Sequence, residues 1–168
     1  MLFRSEAGRW AGNTNNSSSL VDALGPTAYF DDAANTVETE PGCHRSKAAE
    51  VYIGGGVAGF DLACSGARTA TRSGSPFKPG IDFYDDGAGK VGQARALQDL
   101  ARVTNVKMVV LSIGGNDFNF GDIVQTCITN FLLSPSWWPN YCYDDASVSG
   151  NFTAAAVTAR TTAVKGAI

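Results

Sequence analysis

The stretch VKMVVLSIGGND, residues 106–117, decides the fold. Its first eight residues are nearly continuously apolar and rich in β-branched types, the composition of a parallel strand covered on both faces. Gly114, Gly115, Asn116 and Asp117 then break the run with a turn. Just upstream, Val91, Ala94, Leu97, Leu100 and Ala101 recur at three- and four-residue spacings, with Gln93, Arg95, Gln98 and Asp99 on the other face. That periodicity predicts a helix over 91–103. A second helix is predicted over about 122–132. Helix, strand, glycine-rich turn, helix is a unit of an α/β fold, in which chemistry gathers at the carboxyl ends of the strands.

Farther out, residues 57–64 hold an apolar run, 60–63, that suits a second buried strand ending in the turn Cys64-Ser65-Gly66-Ala67. Residues 68–89 read as loop, punctuated by Gly74, Pro76, Pro79, Gly80, Gly87 and Gly89. A short helix is predicted over 46–51, broken by Gly54-Gly55-Gly56. Residues 11–41, rich in Asn, Ser, Thr, Gly and Asp, read as a long loop with one turn of helix near 21–24. Residues 134–143 form a loop containing Pro and Trp, and 152–168 an Ala- and Thr-rich helix. No internal repeat is visible.

A chain of 168 residues is the size of one domain, and 44% apolar content is enough to bury a core. The net charge of -3, with no basic run or basic-aromatic alternation, gives no reason to expect nucleic acid. No apolar stretch reaches the roughly 18 residues of a transmembrane helix. Arg4, Glu6 and Arg9 interrupt any apolar segment near Met1, so no secretory signal is expected there. Cys43, Cys64, Cys127 and Cys142 allow three pairings, of which Cys43–Cys64 with Cys127–Cys142 is the simplest. No CxxC favours zinc. Disulfides imply an oxidising compartment, whereas four buried free thiols would suit a cytosolic protein.

Acyl transfer through a tetrahedral intermediate needs donors aimed at a developing oxyanion. A turn after a buried strand supplies either a backbone N–H, as at Gly66, or a fixed side-chain amide, as at Asn116. Glycine leaves the approach open, and Asn donates at every working pH. On spacing alone, Gly-Gly-Asn-Asp reads first as a plain βα turn with an Asx cap and only second as an oxyanion site.

The segment LSIGGNDFNF, residues 111–120, resembles the third block of SGNH/GDSL hydrolases, where GxND follows a strand. DLACSGART, residues 61–69, is similar to their second block with its oxyanion glycine. Gly42-Cys43-His44-Arg45-Ser46 resembles the CHRS turn of actinobacterial members, and EAGRW, residues 6–10, the sequence following their GDSxxSGE nucleophile block. These matches run in family order over nearly the whole chain. The resemblance implies that Gly66 is the backbone oxyanion donor and Asn116 the side-chain donor, with no cofactor and no metal.

Two family elements fall outside the match. With Glu6 as anchor, the pattern places its nucleophilic serine at Met1, with Arg4 and Ser5 where it has Ser and Gly. The DxxH block is absent, and the sole histidine, His44, lies in the CHRS turn, where it reads as a structural residue beside a disulfide. Leu2-Phe3-Arg4-Ser5 is the peptide that the tail of a common sequencing adapter encodes in one frame. Residues 1–5 are therefore expected to be a non-native leader, and 6–168 an internal part of the hydrolase domain.

Other candidates are weaker. Asp117 reads as the cap of the next helix, or as an orienter of the Asn116 loop. Trp137 and Trp138 read as packing over the Cys127–Cys142 loop, or as the wall of an acyl pocket. Asn15, Asn16 and Asn151 open chance glycosylation sequons. The pairs Asp31-Asp32, Asp85-Asp86 and Asp144-Asp145 read as solvated loops rather than calcium ligands.

The expected fold is a three-layer α/β/α, flavodoxin-like domain with a parallel sheet. The strand leading to the nucleophile, expected between the one ending at Cys64 and the one ending at Ile113, lies off the chain. Its loss would leave edges about 9–10 Å apart and favour aggregation. The expected function is that of a secreted serine carboxylic ester hydrolase, monomeric when full length, acting on a small-molecule or lipid ester and inactive as this chain alone. The alternatives are a secreted pseudoenzyme that binds lipid or glycan without turnover, and a disulfide-stapled structural domain of a cell-surface protein.

Overall fold

Strand pairing reaches only as far as a partner is available, and here the partner is short. In the computed structural model, which describes residues 2–4, 29–45, 49 and 51–168, β1 (Leu2–Arg4) pairs in parallel with β2 (Val110–Ser112). The register is Leu2↔Val110, Phe3↔Leu111 and Arg4↔Ser112. The strand predicted over 106–113 is therefore trimmed to the three residues that β1 can pair. Nor is it covered on both faces: Met108, Val109 and Val110 remain 40–56% exposed. Residues 2–4, expected to stand outside the fold, contribute the backbone partner.

The chain divides into two compact units, Met1–Ile113 and Gly114–Ile168. In the first, α1 (Gln93–Val103) starts two residues later than its periodicity predicts. Val91 is held back by an antiparallel bridge to Asp85, and the Gly92 N–H donates to the Tyr84 carbonyl at 2.8 Å. Gln93, predicted on the polar face, is instead 2% exposed. Its side-chain amide donates to the Pro79 carbonyl at 2.8 Å and its backbone N–H to the Gly80 carbonyl at 2.7 Å, so burial leaves neither donor unmet.

The predicted strand at 60–63 does not form beyond a single bridge at Asp61. Side chains satisfy its backbone in place of a ladder. Arg45 donates to the carbonyls of Ala63 (2.8 Å) and Leu62 (3.2 Å), and the Asp61 carboxylate accepts from the Ala63 N–H at 3.0 Å. The tightest packing of this unit is small: Cys43, Cys64 and Ala67, all fully buried and built around the Cys43–Cys64 disulfide. The staple adds a covalent link to a core whose described apolar members also include Phe77 and Ile81, each 5% exposed.

Residues 68–92 lack helices and strands, yet are held closely. Arg72 and Lys78 exchange two backbone hydrogen bonds of 3.0 Å, and the Asp82 carboxylate accepts from the Thr71 N–H at 2.8 Å. At Gly80 a Cβ would stand 2.4 Å from the backbone of Ala70 and Thr71, so only glycine permits this crossing.

In the second unit a 3-10 turn, Asn116–Phe118, leads into α2 (Phe120–Leu133), followed by α3 (Ala146–Ser149), a second 3-10 turn, Gly150–Phe152, and α4 (Ala154–Ala167). Thr153 caps α4, its side chain accepting from the Ala156 N–H at 3.2 Å. The Cys127–Cys142 disulfide ties α2 to the loop that follows it. Both cysteine pairs are thus the sequence-local ones, a chemistry that suits an oxidising compartment. Among the described residues no helix is long and apolar enough to cross a membrane. The helices predicted at 46–51 and near 21–24 lie largely or wholly outside the described residues, as do the EAGRW segment and the sequons at Asn15 and Asn16.

Candidate active site

The turn that carries Gly66 is fixed from several directions. Cys64 is bonded to Cys43, the Ser65 N–H donates to the Cys43 carbonyl at 2.9 Å, and the Ala67 N–H closes the turn on the Cys64 carbonyl at 3.0 Å. The Lys78 ammonium reaches in from the neighbouring loop and donates to the carbonyls of Gly42 and Ser65, the latter at 2.9 Å. The 42–45 segment and the 64–67 turn are therefore joined by a covalent bond, a backbone hydrogen bond and a shared lysine.

Gly66 stands at φ +77°, in the left-handed region that glycine adopts without strain. It is exposed, and a Cβ built on it would meet no heavy atom within 4 Å. Its N–H has no acceptor among the described residues. A rigid, open, unengaged backbone donor is what oxyanion stabilisation asks of a main-chain group, because its dipole needs no reorganisation as charge develops.

Asn116 opens the 3-10 turn of the second unit and is half-buried. Gly114, at φ +111° and buried, turns the chain out of β2. The Phe118 and Phe120 N–H groups donate to the Gly115 carbonyl at 3.2 Å each, and the Asn119 N–H to the Asn116 carbonyl at 3.1 Å. Asp117 sits inside this turn. The N-cap position of α2 falls to Asn119, at φ +55°, which corrects the expectation that Asp117 caps the helix.

Behind this turn lies a polar brace that sequence reasoning did not single out. The Asn119 side chain donates to Asn151 Oδ1 at 3.1 Å, and Arg160 donates to the same oxygen at 2.7 Å and to the Asn151 carbonyl at 3.0 Å. Asn151 Nδ2 in turn donates to the Ser147 carbonyl at 2.6 Å, and the Arg160 guanidinium lies 5.2 Å from the centre of the Phe118 ring. Asn151 is 6% exposed. Its sequon was the only visible signal, and it pointed to the wrong chemistry: the amide is a structural hub rather than a surface acceptor.

His44 stays with the disulfide. Its φ is +54°, its ring lies 4.8 Å from that of Tyr29, and its N–H points to the Glu38 carboxylate at 3.4 Å. Trp137 and Trp138 are 81% and 74% exposed, so neither packs over the disulfide loop as expected. Phe131, Leu132 and Leu133 are comparably open, at 78%, 72% and 73% exposed.

Members of the acidic pairs are engaged by their own loops or by a neighbouring helix. Asp32 accepts from the N–H groups of Ala34, Thr36 and Val37 and from the Thr36 hydroxyl, and these bonds, that of Val37 foremost, hold its carboxyl down to about 2. Asp86 is lowered in the same manner by the Ala88 and Lys90 N–H groups, while Asp85 pairs with Arg95 at 2.8 Å. Asp145 accepts from the Asn130 side chain at 2.6 Å.

The described residues of the first unit line two of its pockets. An apolar one of about 370 Å³, lined by Val51, Ile53, Phe60, Val106 and Met108 among others, lies at the amino end of β2, the end opposite the one where α/β chemistry gathers. The other, of about 320 Å³, opens beside Gly66 and is lined by Ser65, Arg68, Ala70, Arg72 and Lys78. No protein-family model, curated protein or solved structure matches this chain, so the candidate site rests on these residues and their geometry.

Proposed function

We propose that the chain is part of a secreted serine ester hydrolase of the SGNH/GDSL type, with the Gly66 N–H and the Asn116 carboxamide as oxyanion donors. The observation that carries this reading is the state of Gly66: a left-handed conformation that favours glycine, clamped by a disulfide and a lysine, with an N–H that meets no acceptor among the described residues and open space where a Cβ would stand. The brace behind the Asn116 turn supports it, because an amide donor is effective only when its backbone is held.

In this reading a serine hydroxyl attacks the ester carbonyl, and the carbonyl oxygen gains negative charge as the tetrahedral intermediate forms. Gly66 and Asn116 donate to that oxygen. A histidine takes the serine proton and returns it to the leaving alcohol. Serine and histidine belong to the GDS and DxxH blocks, which this chain does not contain.

The test compares two proteins. Purified 168-residue chain is expected to turn over no p-nitrophenyl ester above background and to take no fluorophosphonate label. The reading frame extended to include a Gly-Asp-Ser block is expected to do both. Serine-dependent turnover by the chain alone would refute the assignment of roles. The rival reading, a pseudoenzyme that only binds, is favoured by the placement of the sole histidine against Tyr29. It prevails if the extended frame binds lipid or glycan yet neither labels nor hydrolyses.

A further inference from the structure

The apolar pocket of about 370 Å³ is lined by two stretches of different make. One is the segment that runs into β2, of which every second residue, Val106, Met108 and Val110, lines the cavity. The other is the loop that carries Val51, Ile53, Val57 and Phe60. That loop is closed on itself. Gly59 passes so close to Val51 that a Cβ there would stand 2.5 Å from its carbonyl oxygen, and the Val57 N–H donates to the Gly54 carbonyl at 3.1 Å. The wall is thus built before anything enters. Its apolar side chains nonetheless stay open, Ile53 at 61% exposed and Val57 and Met108 at 56% each. A preformed, mainly apolar cavity of this size with a few polar groups is the usual form of a small-molecule site.

The polar residues come from one stretch. Thr104, Asn105 and Lys107 are the polar residues among the described walls, and no acidic residue joins them. Lys107 is exposed, and its ammonium meets no hydrogen-bond acceptor or carboxylate among the described residues. Lys78 differs, being held by the Gly42 and Ser65 carbonyls. A lysine stem lies readily along apolar surface while its charged head stays at the mouth. The pocket therefore offers apolar walls and a single unpaired positive charge.

We propose that this pocket binds an aliphatic monocarboxylate, its hydrocarbon tail among Ile53, Val57, Phe60 and Met108 and its carboxylate on Lys107. The tail takes the place of water on side chains that are now open. One cation matches one negative charge, and the Thr104 hydroxyl and Asn105 amide add neutral donors from the same stretch. A neutral alcohol of equal length keeps the tail contacts and loses the charge, whereas acetate keeps the charge and loses the tail. Gly66 and Asn116 are not among the walls, so the proposal does not rest on the hydrolase reading.

The test is titration calorimetry of the purified chain with sodium octanoate, octanol and sodium acetate, all below the concentration at which octanoate forms micelles. Octanoate is expected to bind at one site, octanol about tenfold more weakly, and acetate not at all. Lys107→Gln should weaken octanoate about tenfold and leave octanol unchanged, while Ile53→Asp should weaken both by more than about tenfold. Lys107 and Ile53 are both exposed, so the variants keep the fold, which circular dichroism checks. Absence of saturable octanoate binding, or binding that Lys107→Gln leaves unchanged, overturns the proposal. Octanol binding as tight as that of octanoate overturns it as well, because the charge would then contribute nothing. Sedimentation velocity on the same samples gives a third reading: a dimer that Ile53→Asp dissociates would make this face a contact between two copies and defeat the ligand assignment.

Discussion

Arg160 grips Asn151 at two points, donating to its side-chain oxygen at 2.7 Å and to its main-chain carbonyl at 3.0 Å. Through Asn119, which donates to that same side-chain oxygen, the grip extends from α4 to the turn that begins at Asn116. A positively charged fork on a buried amide is among the stronger hydrogen-bonding arrangements, and the removal of one partner leaves the others unmet.

Asn151→Ala is therefore expected to destabilise the protein by about 1–3 kcal/mol, measured as a lowered urea midpoint. Arg160→Lys should recover little of the grip, because an ammonium cannot reproduce the paired geometry. The same engagement predicts that Asn151 stays unglycosylated when the chain is secreted from a eukaryotic host, which mass spectrometry of the 151–153 peptide would read directly.

Gly66→Ala places a Cβ in open space but at a φ that L-residues resist. Its cost is expected to be conformational alone, about 1–2 kcal/mol in chemical denaturation. A much larger loss would mean that the turn is more enclosed than the structure shows.

Replacement of both Cys43 and Cys64 by Ala should cost about 2–5 kcal/mol, since the bridge closes a separation of 21 residues and forms the centre of the first unit's packing. Denaturation with and without reductant measures it. In reductant the parent protein should approach the stability of the double variant.

The Asp32 carboxyl titrates near 2 in the folded chain against an ordinary value of 3.8. A depressed folded value means that the 31–39 loop gains stability from the ionised form, fully present above the ordinary value and lost as pH falls through about 2. Side-chain carboxyl NMR should show the low midpoint. Asp32→Asn should flatten the stability profile between pH 2 and 4, with no change near neutrality in its slope.

Much of the helical structure is legible in the sequence, because α1, α2 and α4 rest on local periodicity and composition. Both disulfide pairings are legible too, since short loops close most readily. What escapes sequence reading depends on partners distant in the chain. The extent of β2 is set by three residues at the start of the chain, and the 60–63 segment loses its strand to Arg45 and to the Asp61 side chain. Gln93 looks like a surface residue by periodicity and becomes buried because Pro79 offers an acceptor 14 positions away. At the candidate site, Gly66 and Asn116 stand out by motif, whereas Asn119, Asn151 and Arg160 carry no pattern that marks them as a unit.

The measurement that tests the central claim most directly is steady-state ester hydrolysis by the extended, serine-bearing protein and its Asn116→Ala variant. An oxyanion donor acts in the transition state, so kcat should fall by about 10²–10³ while KM changes little. A kcat within about threefold of the parent, in a variant that remains folded, would contradict the assignment of Asn116 as an oxyanion donor.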